Sequence, residues 1–206
     1  MRKTLLILAL VSFLINVAAL GAERSPLLRD GDIIFQSSHS RQSVAIQQAT
    51  NSPYSHMGII FIRHGEPYVY EAIGPVQYTP VSRWIARGDG GHYVVKRLKD
   101  ADHLLTPLAV ARLRRVAERF RGAPYDLTFE WSDKRIYCSE LVWKIYERGV
   151  GLRIGELQRL RDFDLGSPLV QAVMKERYGE KIPLEETVVS PAAIFAFQGL
   201  VVVTRE

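Results

Sequence analysis

One cysteine, Cys138, is found in the whole chain, so no intramolecular disulfide can form and no cysteine pair can hold zinc or an iron–sulfur cluster. The sequence also lacks a His-Glu-x-x-His pair, a Gly-x-x-x-x-Gly-Lys-Ser/Thr loop and a Gly-x-Ser-x-Gly elbow. Zinc-protease, P-loop and serine-hydrolase chemistry therefore have no motif, and neither a metal nor an organic cofactor is expected. No strong excess of one charge is present: the formal net charge is +5. It falls nearer +3 once Arg2 and Lys3 are set aside with the leader described below, too little for a nucleic-acid-binding surface. Long apolar runs are missing beyond the extreme N-terminus, which excludes a polytopic membrane protein. What remains, 47% hydrophobic and 24% charged residues in a chain of 206, is the composition of one globular domain with a sizeable core.

The single long apolar run is informative. Arg2 and Lys3 precede Leu5 to Leu20, small residues follow at Gly21 and Ala22, and the first acid is Glu23. Residues 1–22 read as a secretory signal peptide, with cleavage after Ala19 or Ala22, and residues 23–206 as one catalytic domain exported to the periplasm. An uncleaved leader is the alternative, and it is the only route to membrane association. Nothing in the sequence fixes an oligomeric state. In an oxidising compartment a lone thiol is a liability, and Cys138 is either a nucleophile or a small buried hydrophobe.

Patterning predicts a mixture of strands and helices. Asp32 to Phe35 reads as a buried strand, Ser43 to Ala49 as a helix stopped by Asn51-Ser52-Pro53, and Met57 to Arg63 with Tyr68 to Ala72 as an antiparallel hairpin through His64-Gly65-Glu66-Pro67. Further strands are expected near Val76 to Thr79, Tyr93 to Arg97 and Leu200 to Thr204, with a helical crossover from Val81 to Arg87. Pro107 to Phe120 carries apolar residues at helical spacing and a solvated arginine stripe, Arg112, Arg115 and Arg119. Cys138 opens an amphipathic helix in which Cys138, Leu141, Val142 and Ile145 share a face and Gly149 supplies the C-cap; another helix spans Pro168 to Tyr178.

A thiol in the first turn of a helix meets unpaired backbone N–H groups and the positive end of the helix dipole, which favour a thiolate and can hold an oxyanion. It still needs a proton shuttle. His39, His64, His92 and His103 lie in polar, turn-like contexts, whereas His56 opens a strand and is followed by Gly58, which permits a close approach. Glu71, in the otherwise apolar run Val69-Tyr70-Glu71-Ala72, is a candidate to orient the imidazole. A hairpin through Gly65 pairing residues that sum to about 131 sets Glu71 opposite Ile60, on the same side of the sheet as His56 but displaced along it.

Gly122-Ala123-Pro124-Tyr125-Asp126 and Tyr137-Cys138-Ser139-Glu140-Leu141-Val142 resemble the Gly-x-Pro-Tyr and Cys-Ser-x-Leu-Val elements of the NlpC/P60 cysteine hydrolases. In that family the histidine follows the cysteine, and no histidine follows Cys138. Instead Gly31 to Phe35, Tyr54-Ser55-His56-Met57-Gly58 and Tyr70-Glu71-Ala72 precede it, and Pro183 to Pro191 closes the similarity. This order resembles the circularly permuted papain-like branch, the YiiX/YebB-like group. The resemblance implies an α+β fold, with an antiparallel sheet packed against helices. It also implies Cys138 as nucleophile, His56 as base, Glu71 as the group orienting it, and Tyr125 on the oxyanion side.

The resulting expectation is an exported cysteine hydrolase that cleaves an amide in cell-envelope peptides of the peptidoglycan type through a Cys-His-Glu acyl-enzyme. Tyr54, Tyr70, Tyr125 and Tyr137 crowd these motifs; Tyr54 and Tyr137 join Tyr125 as candidates to hold the ends of a polar substrate. A lipid acyl hydrolase or acyltransferase using the same dyad is the runner-up, and it requires an open apolar groove near Cys138. A catalytically idle envelope-binding module is the third reading.

Overall fold

The apolar run after Asp32 forms strand β1 (Ile33–Gln36), buried on both faces as such a run requires in mid-sheet. In the computed structural model, which describes residues 28–206, β1 lies between β2 (His56–Arg63) and β5 (Val94–Leu98). The expected leader falls outside the described residues. Beyond β2 come β3 (Glu66–Glu71) and β4 (Gln77–Pro80). A separate short ribbon pairs β6 (Gln158–Arg159) with β7 (Thr187–Val188), and β8 (Leu200–Arg205) flanks β5. The main sheet runs β4-β3-β2-β1-β5-β8, and each adjacent pair is antiparallel.

The helices are α1 (Arg41–Thr50), α2 (Val81–Ala86), α3 (Ala101–Leu104), α4 (Pro107–Arg119), α5 (Cys138–Val150), α6 (Pro168–Tyr178) and α7 (Pro191–Ala196). Local chemistry explains their starts. Thr106-Pro107, Ser167-Pro168 and Ser190-Pro191 each combine a hydroxyl that accepts from a backbone N–H with a proline at the first helical position. Arg112, Arg115 and Arg119 are exposed on α4, while Leu113, Val116 and Ala117 are buried.

Alternation along the strands makes two cores. Phe35, Met57, Ile59 and Phe61 pack with Leu113 of α4, Leu141 and Val142 of α5 and Ile194 of α7; Ile34, Ile60, Val69 and Val95 pack with Val81 and Trp84 of α2 on the other face. A third cluster joins Ala45 of α1 to Leu160 and to Val170, Val173 and Met174 of α6.

Two expectations need correction. Gly149 lies inside α5, where a Cβ would come within 2.8 Å of Leu113 Cδ2 and 3.2 Å of Leu113 Cα; the left-handed cap is Gly151. Gly149 thus serves helix packing. The hairpin register also differs. His64 and Gly65 both have positive φ, 52° and 83°, and form a tight two-residue turn. Glu66 and Pro67 therefore belong to β3, Arg63 pairs with Glu66, and Ile59 with Tyr70. Glu71 consequently lies level with Gly58 instead of Ile60, two residues closer to His56.

Candidate functional site

Glu71 is fully buried, and donors from three elements converge on its carboxylate. His56 Nε2 stands 2.6 Å from Oε2, Thr79 Oγ1 donates to Oε1 at 2.6 Å, and Trp84 Nε1 donates to Oε2 at 2.9 Å. Arg87, just past α2, donates from one guanidinium nitrogen to both oxygens, at 2.9 and 2.6 Å. An ionised carboxylate is tolerable in the core only with such partners. Burial alone would raise its pKa; the hydrogen bonds and charges of His56, Arg87 and Thr79 overcome this and bring it down to about 2.

The imidazole of His56 is one-fifth exposed. Trp84 stacks on it with centroids 5.9 Å apart and planes 26° from parallel. Burial pushes its pKa down, but hydrogen bonds to Cys138 and Glu71, reinforced by their charges, carry it up to about 9. With Nε2 occupied by Glu71, Nδ1 is the nitrogen left for the sulfur. His56 lies on the α2 side of the sheet with Ile60, and Cys138 belongs to the core on the opposite side. They meet because His56 is the first residue of β2, at the strand end.

Cys138 is the first residue of α5, 3% exposed. Tyr137 before it has extended backbone angles and offers no side-chain cap, so among the described residues the N–H groups of the first turn have no intrahelical or side-chain acceptor. The amphipathic face expected of α5 is only part of its burial: Ser139, Glu140 and Lys144 are buried as well. Lys144 pairs with Glu140 at 2.7 Å and Asp133 at 2.9 Å. The C-terminal motif clasps both neighbours of the thiol, since Ser139 Oγ donates to Val189 O at 2.8 Å and Val189 N donates to Tyr137 Oη at 3.1 Å.

Tyr125 arrives through a backbone clip: Ile136 N donates to Pro124 O at 3.1 Å and Asp126 N to Ile136 O at 3.2 Å. This fastens the Gly-x-Pro-Tyr segment to the residues entering α5. Tyr125 is partly buried and its hydroxyl accepts from Gln42 Nε2 at 2.8 Å. Burial first, and then the charge of the nearby Cys138 sulfur, holds its phenol protonated well above the usual range.

The other tyrosines depart from the expectation. Tyr54 stacks on Phe195, centroids 4.2 Å apart, and tilts against Phe35, so its ring is built into the core and borders neither cavity described below. Tyr70 is fully buried and donates to Ala117 O at 2.6 Å. Tyr137 borders the groove but is only 3% exposed, with its hydroxyl engaged by Val189 and its ring edge-on to Phe129. The structure adds residues that the sequence reading missed: Thr79, Trp84 and Arg87 on Glu71, and Gln42 and Arg177 beside Tyr125. None carries a local sequence signal, because these residues come from four elements: β4, α2 and its C-terminal cap, α1 and α6.

Two cavities meet at this point. A wider cleft, which shows more apolar than polar surface but carries the polar side chains of His56, Arg87, Asp89 and the serines Ser38, Ser40 and Ser43, lies on one side; a narrow groove of about 90 Å³, lined almost wholly by apolar atoms, runs from Cys138 between α1 and α6. Gln42, Ile46 and Tyr125 border both.

A thiol at a helix start, an imidazole beside it from a strand and a buried carboxylate behind the imidazole, with the histidine earlier in the chain, define a permuted papain-like cysteine hydrolase. The chain belongs to the YaeF/YiiX family of permuted papain-like amidases, C92, whose pattern matches residues 27–204. It is 51% identical over 206 residues to the uncharacterized protein YiiX of Escherichia coli strain K12, spanning 100% of this chain and 97% of that one. The fold is similar to the crystal structure of YiiX from Escherichia coli O157:H7, with a TM-score of 0.83, 54% identity, and coverage of 86% of this chain and 97% of that one. That protein is described as a metalloprotein. Among the described residues here, no group of three or more His, Cys, Asp and Glu is arranged to hold a metal ion, and Glu71 engages His56 directly.

Proposed function

We propose that this chain is an exported amidase that forms an acyl-enzyme on Cys138. The observation that carries this reading is the position of the dyad between unlike cavities: the thiol borders the apolar groove and the imidazole borders the wider cleft with its polar side chains. In amide hydrolysis the acyl half stays on sulfur while the amine half takes a proton from the imidazole. The acyl half therefore lies in the groove and the amine half in the cleft.

With His56 holding the proton, the Cys138 thiolate attacks the carbonyl carbon and the π electrons move to oxygen. First-turn N–H groups of α5 and the Tyr125 hydroxyl receive that oxygen. As the intermediate collapses, the C–N bond breaks, His56 gives its proton to the departing nitrogen, and a thioester remains. Water entering from the cleft then loses a proton to His56 and releases the acid. Glu71 keeps the imidazole ring oriented and stabilises its charged form. A cysteine hydrolase with a single cysteine has no other sulfur nucleophile.

Residues 1–22 support export, and the serines, Arg87 and Asp89 in the cleft offer hydrogen-bonding and charged partners to the amine portion of an envelope peptide. The apolar groove at Cys138 is a specific point in favour of the second reading, a lipid acyl hydrolase or acyltransferase, which differs in leaving group or acceptor and uses the same dyad. Wild-type and Cys138→Ala proteins incubated with peptidoglycan stem peptides, N-acyl amines of increasing chain length and phospholipid vesicles, then analysed by mass spectrometry, separate the two. Cysteine-dependent release of amines supports the amidase. Fatty acid release from vesicles without amide cleavage replaces it with the lipid reading. N-terminal sequencing of protein from the periplasmic fraction tests export.

A further inference from the structure

Arg177, Gln42 and Tyr125 form a chain of side chains ending beside Cys138, and the first member determines its polarity. A guanidinium has donors and no acceptor, so the Gln42 atom 2.9 Å from Arg177 must be the carbonyl Oε1. The amide nitrogen then faces the other way and donates to Tyr125 Oη at 2.8 Å. That oxygen is already accepting, so the phenolic hydrogen is free for a different acceptor. Phe129 keeps the source of the chain in place, its ring centroid 5.2 Å from the Arg177 guanidinium carbon. Gln42 and Tyr125 stand where the groove and the cleft meet, where the carbonyl of a substrate spanning both must lie.

We propose that Gln42 and Arg177 are positioning residues that commit Tyr125 to act as a hydrogen-bond donor to the carbonyl oxygen under attack by Cys138. The inference rests on the reading of Cys138 as nucleophile. As the S–C bond forms, the C=O π pair moves onto oxygen, and Tyr125 donates to that oxygen without giving up its proton. Gln42 and Arg177 touch no reacting atom. They act by denying Tyr125 the alternative of donating to Gln42.

Gln42→Glu isolates this effect. The new side chain keeps its shape and gains an ion pair with Arg177, but it presents acceptors to both neighbours, so Tyr125 turns its hydrogen toward the introduced carboxylate and away from the site. Two reactions of the same thiol separate activation from oxyanion stabilisation. Iodoacetamide alkylates sulfur at a saturated carbon and creates no oxyanion. Octanal adds reversibly as a thiohemiacetal, through a carbonyl oxygen that needs a donor, and its affinity is read as protection of Cys138 from alkylation.

Gln42→Glu and Tyr125→Phe are expected to weaken octanal protection roughly ten-fold or more while alkylation of the free thiol changes by less than about two-fold. The combined variant is expected to lose no more than Tyr125→Phe alone. Arg177→Met, which releases the amide to flip, weakens protection, and Arg177→Lys, which still presents only donors, retains it. Gln42→Leu, which removes the amide and leaves Tyr125 no acceptor at that position, is expected to retain most of the protection. Wild-type octanal affinity in Gln42→Glu, a loss in Gln42→Leu as large as that in Tyr125→Phe, unchanged affinity in Tyr125→Phe, or no octanal adduct on a thiol that alkylates normally overturns the inference and leaves the nucleophile reading intact. A wild-type Cys138 inert to both reagents overturns that reading as well.

Discussion

Cys138 and His56 interact electrostatically yet border different spaces, the sulfur an apolar groove and the imidazole a wider cleft that carries polar side chains. In the proposed mechanism the pair stands between an apolar groove and a cleft edged by polar side chains, and a substrate would lie with its acyl chain toward the first and its leaving amine toward the second. Neither side chain alone carries that information.

Filling the groove should change chain-length preference before it changes chemistry. Ala45 is 6% exposed and borders the groove. Ala45→Leu adds bulk to a space of about 90 Å³. The ratio of kcat/KM for N-dodecanoyl over N-acetyl amides is expected to fall by about ten-fold or more, since one methylene in an apolar pocket is worth roughly 1–3 kcal/mol. An unchanged ratio would mean that the acyl group lies elsewhere.

The imidazole carries a second prediction. Because the Cys138 hydrogen bond and charge help to raise the His56 pKa to about 9, Cys138→Ala should bring its titration, followed by NMR of the ring protons, down from that value. A His56 that titrates identically in both proteins would show that the sulfur does not stabilise the imidazolium. The raised folded value means that His56 contributes stability fully below its ordinary 6.5 and loses that contribution as pH rises through about 9. Glu71 acts in the opposite sense: its contribution is present above its ordinary 4.5 and is lost as pH falls through about 2. Together they favour the fold most between about pH 4.5 and 6.5, which chemical denaturation across pH can check.

Glu71→Gln keeps the shape but removes the charge on which His56, Thr79, Trp84 and Arg87 converge. We expect amide turnover to fall by roughly 10²-fold or more, with iodoacetamide labelling slowed in parallel, as happens when the partner that fixes a catalytic imidazole is made neutral. Folding stability should drop by about 1–3 kcal/mol as the buried donors lose a charged acceptor. Wild-type turnover in this variant would remove Glu71 from the mechanism.

Gly58→Ala tests the close approach of two strands. A Cβ there would lie 2.3 Å from Val69 Cγ1 and 2.8 Å from Tyr70 O, so β3, which carries Glu71, must move away from β2, which carries His56. A loss of about 1–3 kcal/mol is expected. For a domain of this size that corresponds to a Tm lower by roughly 2–4 °C per kcal/mol. Activity should fall further than stability alone explains. A variant with unchanged Tm would contradict the rigid spacing assigned to this strand pair.

Much of the site was legible because its chemistry is carried by residues rare in their surroundings. A lone thiol opening an apolar-periodic helix, a histidine opening a strand and a glutamate inside an apolar run each stand out against local pattern. Strand parity correctly kept His56 and Glu71 on one side of the sheet. It failed on distance, because the tight His64-Gly65 turn moved the pairing by two residues. The tyrosines were harder to sort: Tyr54, Tyr70 and Tyr125 have similar sequence surroundings, and only packing against Phe195, Ala117 or Gln42 distinguishes core from cleft.

The sequence by itself determined the order of the six main-sheet strands and of helices α1, α2, α4, α5 and α6, the precedence of histidine over cysteine, and the separation of apolar from solvated helix faces, since these follow from side-chain periodicity, turn chemistry and motif order along one dimension. Tertiary structure decided which side chains surround Glu71, how Gln42 and Arg177 reach Tyr125, and that an apolar groove meets a wider cleft at the dyad. Those relations join residues as far apart as Gln42 and Arg177, which hydrogen-bond across 135 positions of chain. Short-range periodicity cannot encode such a pairing; it arises when α1 and α6 pack their apolar faces together beside the start of α5.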